Sequence, residues 1–449
     1  MMTFEEARKK LDERQKALPA SGNRTPVTVL SAGGRERARP EAEAGLDAVR
    51  RCLGRLGNPQ ESFSAIHVTG TNGKGSICAL FEEVFRQAGF MTGLYTSPHL
   101  IEVTERIKTG GLELKKEEFA RLLSMVADAE NGSLNFFEML TCMAFLHFAE
   151  KGVKLAVVEV GLGGKLDATN VLPHPELCVI ASVDFDHTQC LGPDIPSIAG
   201  EKAGILKSGS ACVCGPLDEQ ARSIIMSAAG ERGIVPEFVE TGSVPVPDGF
   251  DWEKGMMSMT CPGLGRIKLG LPGAHQCSNA AIVLKGLEVL SGRGFAVPEE
   301  AVKIGFEKIR WPGRFQMLSK DVSGGSPAVF ILDGAHNPAA SAAFSKTFSL
   351  SPWAVRNPAL LLGVLKDKDY RGMIKALLPH FSRIVVTAPP SDRALSPWVL
   401  ADAVAKAGPD ADVEVQDNPA AALSSAARAG TVAVTGSFYL VGEALRILG

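Results

Sequence analysis

The sequence has no apolar run approaching the roughly 20 residues that a membrane-crossing helix needs. Its opening stretch, MMTFEEARKKLDERQK, is charged and lacks the apolar segment of a secretion signal, so a cytoplasmic protein is expected. There is no excess of one charge: 47 Lys and Arg stand against 50 Asp and Glu, a net charge of −3 spread along the chain. Neither nucleic acid nor a membrane surface is therefore expected as the main partner. Paired cysteines are also missing. The nine cysteines are scattered singly except for Cys212-x-Cys214, which has no second pair to complete a zinc site. Reduced, mostly buried thiols are the expectation. No internal repeat and no long low-complexity segment is present.

What is there describes an ordinary globular chain, 45% hydrophobic and 22% charged. At 449 residues it exceeds what one core supports, so two or three domains are expected. The stretch Ile66 to Ser76, IHVTGTNGKGS, organises the rest. An apolar strand, 63–68, runs into a glycine-rich turn, and 77–87 reads as a helix. Gly70, Gly73 and Gly75 can take backbone angles closed to other residues and let main-chain N–H groups close on a phosphate. The helix start adds its own N–H groups and positive dipole end. Lys74 is a compact cation able to reach β- and γ-phosphates, and the Ser76 hydroxyl is a candidate Mg²⁺ ligand. Gly75 between Lys74 and Ser76 departs from the strict G-x-x-x-x-G-K-[ST] pattern, but strand, glycines, lysine and helix follow in order. A nucleotide site is expected here.

Helices are expected over 3–18, 44–56, 115–129, 136–151 and 279–290, while 19–43 reads as loosely ordered. Buried-type strands are expected at 91–95, 154–160, 177–183 and 212–214. Continuous apolar strands alternating with helices indicate a parallel sheet covered on both faces. In such sheets functional groups lie beyond the carboxyl ends of the strands, where Lys74, Ser97, Glu159 and His187 fall. Residues 240–270 have the composition of a small antiparallel appendage. Pro312-Gly313 breaks the pattern and marks a domain junction, after which strands 328–332, 359–365, 384–387, 413–416 and 431–435 form a second series. The fold class expected is α/β: a P-loop-type, mostly parallel-sheet N-terminal ATPase domain, 1–310, and a smaller Rossmann-like α/β C-terminal domain, 311–449. The second domain presents Asp333-Gly-Ala-His-Asn-Pro338 at a strand end, which suggests a cleft shared by two domains. The alternative is that Asp333 and Asn337 only cap the helix that follows.

The stretches GTNGKGS, YTSPHL with TERI, NFFE, EVGLGGKLDATN, DFDHTQCLG, AGEKAGILK, WPGRFQ and DGAHNP occur in this order. The chain thereby resembles the folylpolyglutamate synthase/dihydrofolate synthase family of Mur-type ATP-dependent amide ligases over residues 44–449. Residues 1–43 do not match the family's opening, and nothing is carried onto them. The resemblance implies that ATP phosphorylates a pterin-linked carboxylate and that the glutamate amine displaces phosphate from the acyl phosphate. Such a reaction needs charge neutralisation, positioning and exclusion of water more than covalent help.

The resemblance further implies that Thr71, Asn72, Gly73 and Lys74 hold the triphosphate, and that Ser97, Glu159 and His187 bind Mg²⁺, with two ions in all. Ser76 thus has a competitor as metal ligand. Glu159 inside an apolar strand is otherwise a salt-bridged strand-end residue, and His187 by itself reads as a helix cap or core histidine. Lys202 resembles the lysine that the family carbamylates, a change that needs a lowered pKa; the alternative is a surface lysine at a helix start. Asn279 resembles the adenine-side residue, Arg314 the arginine reaching ATP phosphates and Asp333 the ATP-contacting aspartate. His336, also a candidate catalytic group with Lys74 and Lys202, and Ser437 are placed near the incoming glutamate. Asn135, Phe136, Phe137 and Glu138, with Leu166, Asp167 and Ala168, make the pterin side, where Lys165 replaces the arginine often found. Read without the resemblance, Phe136, Phe137 and Phe145 are helix core, and His67 and His147 are satisfied core residues.

The partners implied are dihydropteroate or a reduced folate, L-glutamate and ATP, and a monomer is expected. The Pro98-His99-Leu100 and Thr104 to Ile107 details resemble bifunctional bacterial forms. Two other readings stay open: a Mur-type ligase acting on a peptidoglycan precursor, and a non-enzymatic P-loop nucleotide switch. EVGLGGKLDATN and TSPHL speak against the first, and a second α/β domain presenting Asp333 and His336 against the second.

Overall fold

A computed structural model describes residues 2–17, 39–321 and 327–449. They divide into two compact units: the described residues up to 98, with 103–244 and 278–306, in the first, and those of 99–102, 245–277 and 307–449 in the second. Of the stretch 19–43 expected to be loosely ordered, 19–38 lie outside the described residues, while 39–43 open the helix Arg39–Arg55.

The first unit is built on eight strands: β1 Ser64–Thr69, β2 Thr92–Tyr95, β3 Ile107–Thr109, β4 Leu112–Glu113, β5 Leu155–Glu159, β6 Leu177–Ile180, β7 Ala211–Cys214 and β8 Glu237–Phe238. Their order is β4-β3-β2-β5-β1-β6-β7-β8. From β2 to β8 neighbouring strands run parallel, whereas β3 and β4 add an antiparallel edge. Strands β5 and β6 are buried along their whole length. That explains their uninterrupted apolar sequence, since alternate residues meet different helical layers. Ala156 and Val158 pack with Met139, Phe145 and Phe148 of the helix Phe136–Glu150. Cys178 and Ile180 pack instead with Ile205 and Ile225. Phe145 is thus core, while Phe136 and Phe137 are only partly buried against it.

The second unit holds two sheets. Strands β9 Pro247–Asp251, β10 Met256–Cys261 and β11 Gly265–Leu269 form an antiparallel three-stranded sheet, where the sequence suggested a small appendage. The rest is a six-stranded sheet of β12 Gln316–Lys320, β13 Ala328–Leu332, β14 Ala359–Leu362, β15 Arg383–Val386, β16 Asp412–Val415 and β17 Thr431–Thr435. Its order is β12-β13-β17-β14-β15-β16, parallel except for the β12–β13 pair. Ile331, Leu360, Leu362 and Ala433 face one helical layer, and Phe330, Leu332, Leu361, Val432 and Val434 face the other. The sequence reading drew one boundary at 310/311. In the structure residues 245–277 go with the second unit, because Trp252 stacks on Phe250 at 4.6 Å and lies 5.7 Å from Phe315 and 5.9 Å from Trp353.

Candidate active site

Strand β1 delivers the glycine turn. Gly73 sits at φ 87 and precedes the helix Lys74–Gln87, which starts three residues earlier than its apolar periodicity suggests. A side chain at Gly73 would place Cβ 2.5 Å from Asn279 Oδ1, so the glycine is required both for its backbone angle and for this approach. The turn is tied to the segment after β6. Thr71 N donates to Ser182 O at 3.0 Å and Asn72 N to Ser182 Oγ at 2.9 Å. Thr71 Oγ1 donates to Asp184 O and accepts from Asp184 N, both at 3.0 Å. Lys74 Nζ donates to Gly70 O at 2.9 Å and Thr71 O at 3.2 Å. Ser76 is buried in the first turn of the helix, beside Gly75.

Glu159 is the last residue of β5 and only 4% exposed. Its Oε2 accepts the Ser97 backbone N–H at 2.9 Å, so two of the residues assigned to metal adjoin at the carboxyl ends of β2 and β5. The charge of Glu159, after burial, raises the Cys78 thiol well above its usual range, and Lys74 opposes it, so carboxylate and ammonium act on one spot. His187 adopts φ 50 and occupies the N-cap of the short helix Thr188–Leu191, but its side chain makes no capping bond. Its Nε2 lies 3.9 Å from Asp186 Oδ1.

Lys202, near the end of the helix Ile195–Ala203, is no surface lysine: it is 2% exposed. Burial first, and the Lys74 cation second, push its ammonium down to about 7, while Asp186 and Glu201 pull the other way. In another group of metal-capable side chains, Glu118, His147 and Glu150, both carboxylates are already paired with Arg121, and Glu118 also with Lys151. His147 is buried there with its Nδ1 3.7 Å from Glu118 Oε1 and hydrogen-bonded to nothing among the described residues, so it is not the satisfied core residue expected.

On the pterin side, Asn135 and Glu138 form a capping box on the helix Phe136–Glu150. Asn135 Oδ1 accepts from Phe137 N and Glu138 N at 2.9 and 3.0 Å, and Glu138 Oε2 accepts from Asn135 N at 2.8 Å. Phe137 stacks on Tyr95 at 5.7 Å, and the Arg106 guanidinium lies 5.1 Å from the Phe136 ring centroid. Asp167 is buried and caps the 3₁₀ turn Ala168–Val171, with Ala168 buried and Leu166 half-buried beside it. Burial raises the Asp167 carboxyl above its ordinary value, opposed by bonds from Thr169 and Leu162.

In the second unit, Asp333 is not a helix cap. Its Oδ2 accepts from Phe315 N and its Oδ1 from Ala335 N, both at 2.9 Å; Asn337 supplies the cap to Ala340 N. Burial raises Asp333, and the nearby Arg314 cation opposes the rise. Arg314 places its guanidinium 4.7 Å from the Phe438 ring, and the His336 ring lies 5.2 Å from the same phenylalanine. His336 Nδ1 is 2.8 Å from Gly334 O, a group that only accepts, so Nδ1 carries the proton. Ser437 caps the helix Phe438–Leu448, accepting from Leu440 N at 3.1 Å.

The structure thus gathers Gly70 to Ser76, Asn279, Ser97, Glu159 and Lys202 within the first unit, and Arg314, Asp333 and His336 within the second. It also adds residues the sequence did not single out. Ser182 and Asp184 brace the turn, Tyr95 stacks on Phe137, and Phe438 carries Arg314 and His336. Ser182 and Asp184 at an apolar strand's end were the available signal; nothing in the local sequence marks Tyr95 or Phe438.

Residues 68–285 match the family model described as Mur ligase middle domain, and residues 313–438 the model described as Mur ligase, glutamate ligase domain. The dihydrofolate synthase/folylpolyglutamate synthase of Bacillus subtilis is 34% identical over 350 residues, 74% of this chain and 78% of that protein. The solved Mycobacterium tuberculosis folylpolyglutamate synthase complexed with ADP is 31% identical with a TM-score of 0.80, covering 90% of this chain and 94% of that one. A bifunctional folylpolyglutamate synthase/dihydrofolate synthase with Mn, AMPPNP and L-glutamate bound is 28% identical with a TM-score of 0.76, over 90% and 94% of the two chains.

Proposed function

The chain belongs to the folylpolyglutamate synthase/dihydrofolate synthase family of Mur ligases, and from that premise we propose that it joins L-glutamate to dihydropteroate and to the glutamate tail of reduced folates, consuming ATP. The observation that carries this reading is Lys202. A lysine buried next to a phosphate-loop lysine, with its ammonium brought down to about 7, keeps a large neutral fraction available to CO₂ at working pH. Carbamylation joins the amine nitrogen to the carbon of CO₂ and releases one proton, turning a cation into an anion suited to a second Mg²⁺.

The donor set suits a hard cation: a buried carboxylate from Glu159 and a hydroxyl from Ser97, adjoining at two strand ends. Ser97, Glu159 and His187 would hold Mg²⁺, which when bound neutralises phosphate charge. The protein's own part is binding and orientation. Gly70, Thr71, Asn72, Gly73, Lys74, Gly75 and Ser76 present N–H groups and an ammonium to the triphosphate, and Asn279 borders that turn. Arg314 and Asp333 are assigned to ATP, and His336 and Ser437 to the incoming glutamate. Ser437 uses one acceptor site of its hydroxyl to cap a helix, and its hydroxyl proton is left to donate to a ligand. Phe137 and Asp167 offer an aromatic edge and a carboxylate to the pterin.

Incubation with ATP, Mg²⁺ and glutamate, with dihydropteroate in one arm and tetrahydrofolate in the other, tests the reading. Phosphate release should require both glutamate and a pterin. Release indifferent to both overturns it.

A further inference from the structure

Behind Asp167 stands a row of buried polar side chains with no part in the scheme above. His67, in the middle of β1 and fully buried, places Nε2 2.8 Å from Thr169 Oγ1. Thr169 Oγ1 in turn lies 2.5 Å from Asp167 Oδ1. Thr169 N and Leu162 N also donate to the Asp167 carboxylate, at 3.0 and 2.9 Å. Three donors converging on one carboxylate suit the acceptor-only form, so the Thr169 hydroxyl proton points at Asp167. The hydroxyl oxygen must then accept from His67, and the imidazole proton sits on Nε2. Nδ1 is left as a buried acceptor with no hydrogen-bond partner among the described residues.

That acceptor is costly, and a phenylalanine or leucine at this strand position would avoid it. Retaining it makes physical sense if the proton on the opposite nitrogen is needed. Burial and the Lys207 cation bring His67 down to about 3, which fixes a neutral ring with that single arrangement. At the far end, a Cβ on Gly161 would lie 2.6 Å from the Phe137 ring and 3.1 Å from Asp167 Oδ2. A carboxylate oxygen and an aromatic edge therefore meet over a glycine. A pterin, a flat heterocycle with N–H donors on its rim, matches both.

We propose that His67 is a positioning residue for pterin recognition, which through Thr169 holds the Asp167 carboxylate in the orientation that receives the heterocycle's N–H edge. This rests on the pterin-side reading given above. Removing either link weakens the side-chain restraint on Oδ1 and leaves the carboxylate held by the backbone donors Thr169 N and Leu162 N alone.

The test compares Thr169→Val, which keeps shape and loses the hydroxyl, with Thr169→Ser, and His67→Phe with His67→Gln. Thr169→Val and His67→Phe should raise KM for the pterin substrate about tenfold or more, with KM for ATP and glutamate within about twofold and little change in kcat. Thr169→Ser and His67→Gln, which keep a donor, should recover most of the loss. Independently, nitrogen NMR of the wild-type protein should find His67 protonated at Nε2 and not titrating between about pH 5 and 8. An unchanged pterin KM in both shape-keeping variants, a parallel rise in ATP KM, or a proton on Nδ1 each overturns the proposal. If neither variant folds, the tautomer decides it. A wild-type enzyme without pterin- and glutamate-dependent phosphate release overturns the function reading instead, so the two failures are distinct.

Discussion

Lys74 Nζ donates to Gly70 O at 2.9 Å, so the cation of the nucleotide turn rests on a carbonyl of its own loop. Its second bond, to Thr71 O, is local as well. The lysine therefore ties only carbonyls of its own turn, which Ser182 and Asp184 brace separately at Thr71 and Asn72. Lys74→Ala should lower kcat by about 10²–10³ while leaving the melting temperature nearly unchanged. Near-full turnover in that variant would place phosphate binding elsewhere.

Lys202 sets a pH dependence whose sign can be worked out. Below about 7 its amine is protonated in the fold and cannot take up CO₂, so activity should fall as pH drops through that value. Depleting CO₂ at pH about 8 should lower the rate, and bicarbonate should restore it. The stability consequence runs in the same direction. In the unfolded chain the amine titrates near 10.5, so between about 7 and 10.5 the unfolded state holds more protons and the fold gains stability as pH rises. Lys202→Met removes that gain. Its melting temperature, compared with wild type from pH 7 to 10, should show the difference shift towards the wild type, and its ligase activity should be lost.

Gly73 and Asn279 make a coupled pair. Gly73→Ala brings a methyl group to within 2.5 Å of Asn279 Oδ1 and a non-glycine residue to φ 87. KM for ATP should rise at least about tenfold, and stability should fall by about 1–2 kcal/mol from the backbone angle alone. Adding Asn279→Ala should relieve the clash but not the angle, which a double-mutant cycle read by thermal unfolding separates.

Asn135 is employed as a helix cap, and this distinguishes two roles. Asn135→Ala should cost about 1 kcal/mol of stability through loss of the capping box, and Asn135→Asp should restore it. If Asn135 also contacts the pterin through its amide, Asn135→Asp will keep the fold and still raise the pterin KM. An unchanged KM confines the residue to capping.

Much of this was legible in the sequence where burial is two-sided. Strands β13 and β17 fall on the residues their apolar runs indicate, because a strand covered on both faces has no polar position to blur its ends. Strands β3, β4 and β12 carry no such apolar run, for the opposite reason: Lys108, Thr109, Glu113, Ser319 and Lys320 lie at partly exposed antiparallel edges. The helix at Lys74 shows its apolar periodicity only from Ile77, because glycine and serine in its first turn carry weak helical preference, which the turn's bracing overrides. In the site, the groups carrying motifs were visible. A residue set singly inside an apolar run, such as His67, reads as packing, since a lone polar residue gives no sign of what lies across the strand. His67 meets Thr169 across 102 positions of sequence, a distance no local pattern spans.

The larger sheet tapers to two-residue strands on both flanks, β4 at Leu112–Glu113 and β8 at Glu237–Phe238. An incoming chain looking for a ladder to extend would find no more than a couple of rungs on either side, one of them bearing a glutamate in each case. Short, charge-bearing flanks of this kind leave the larger sheet little edge on which another strand could be added.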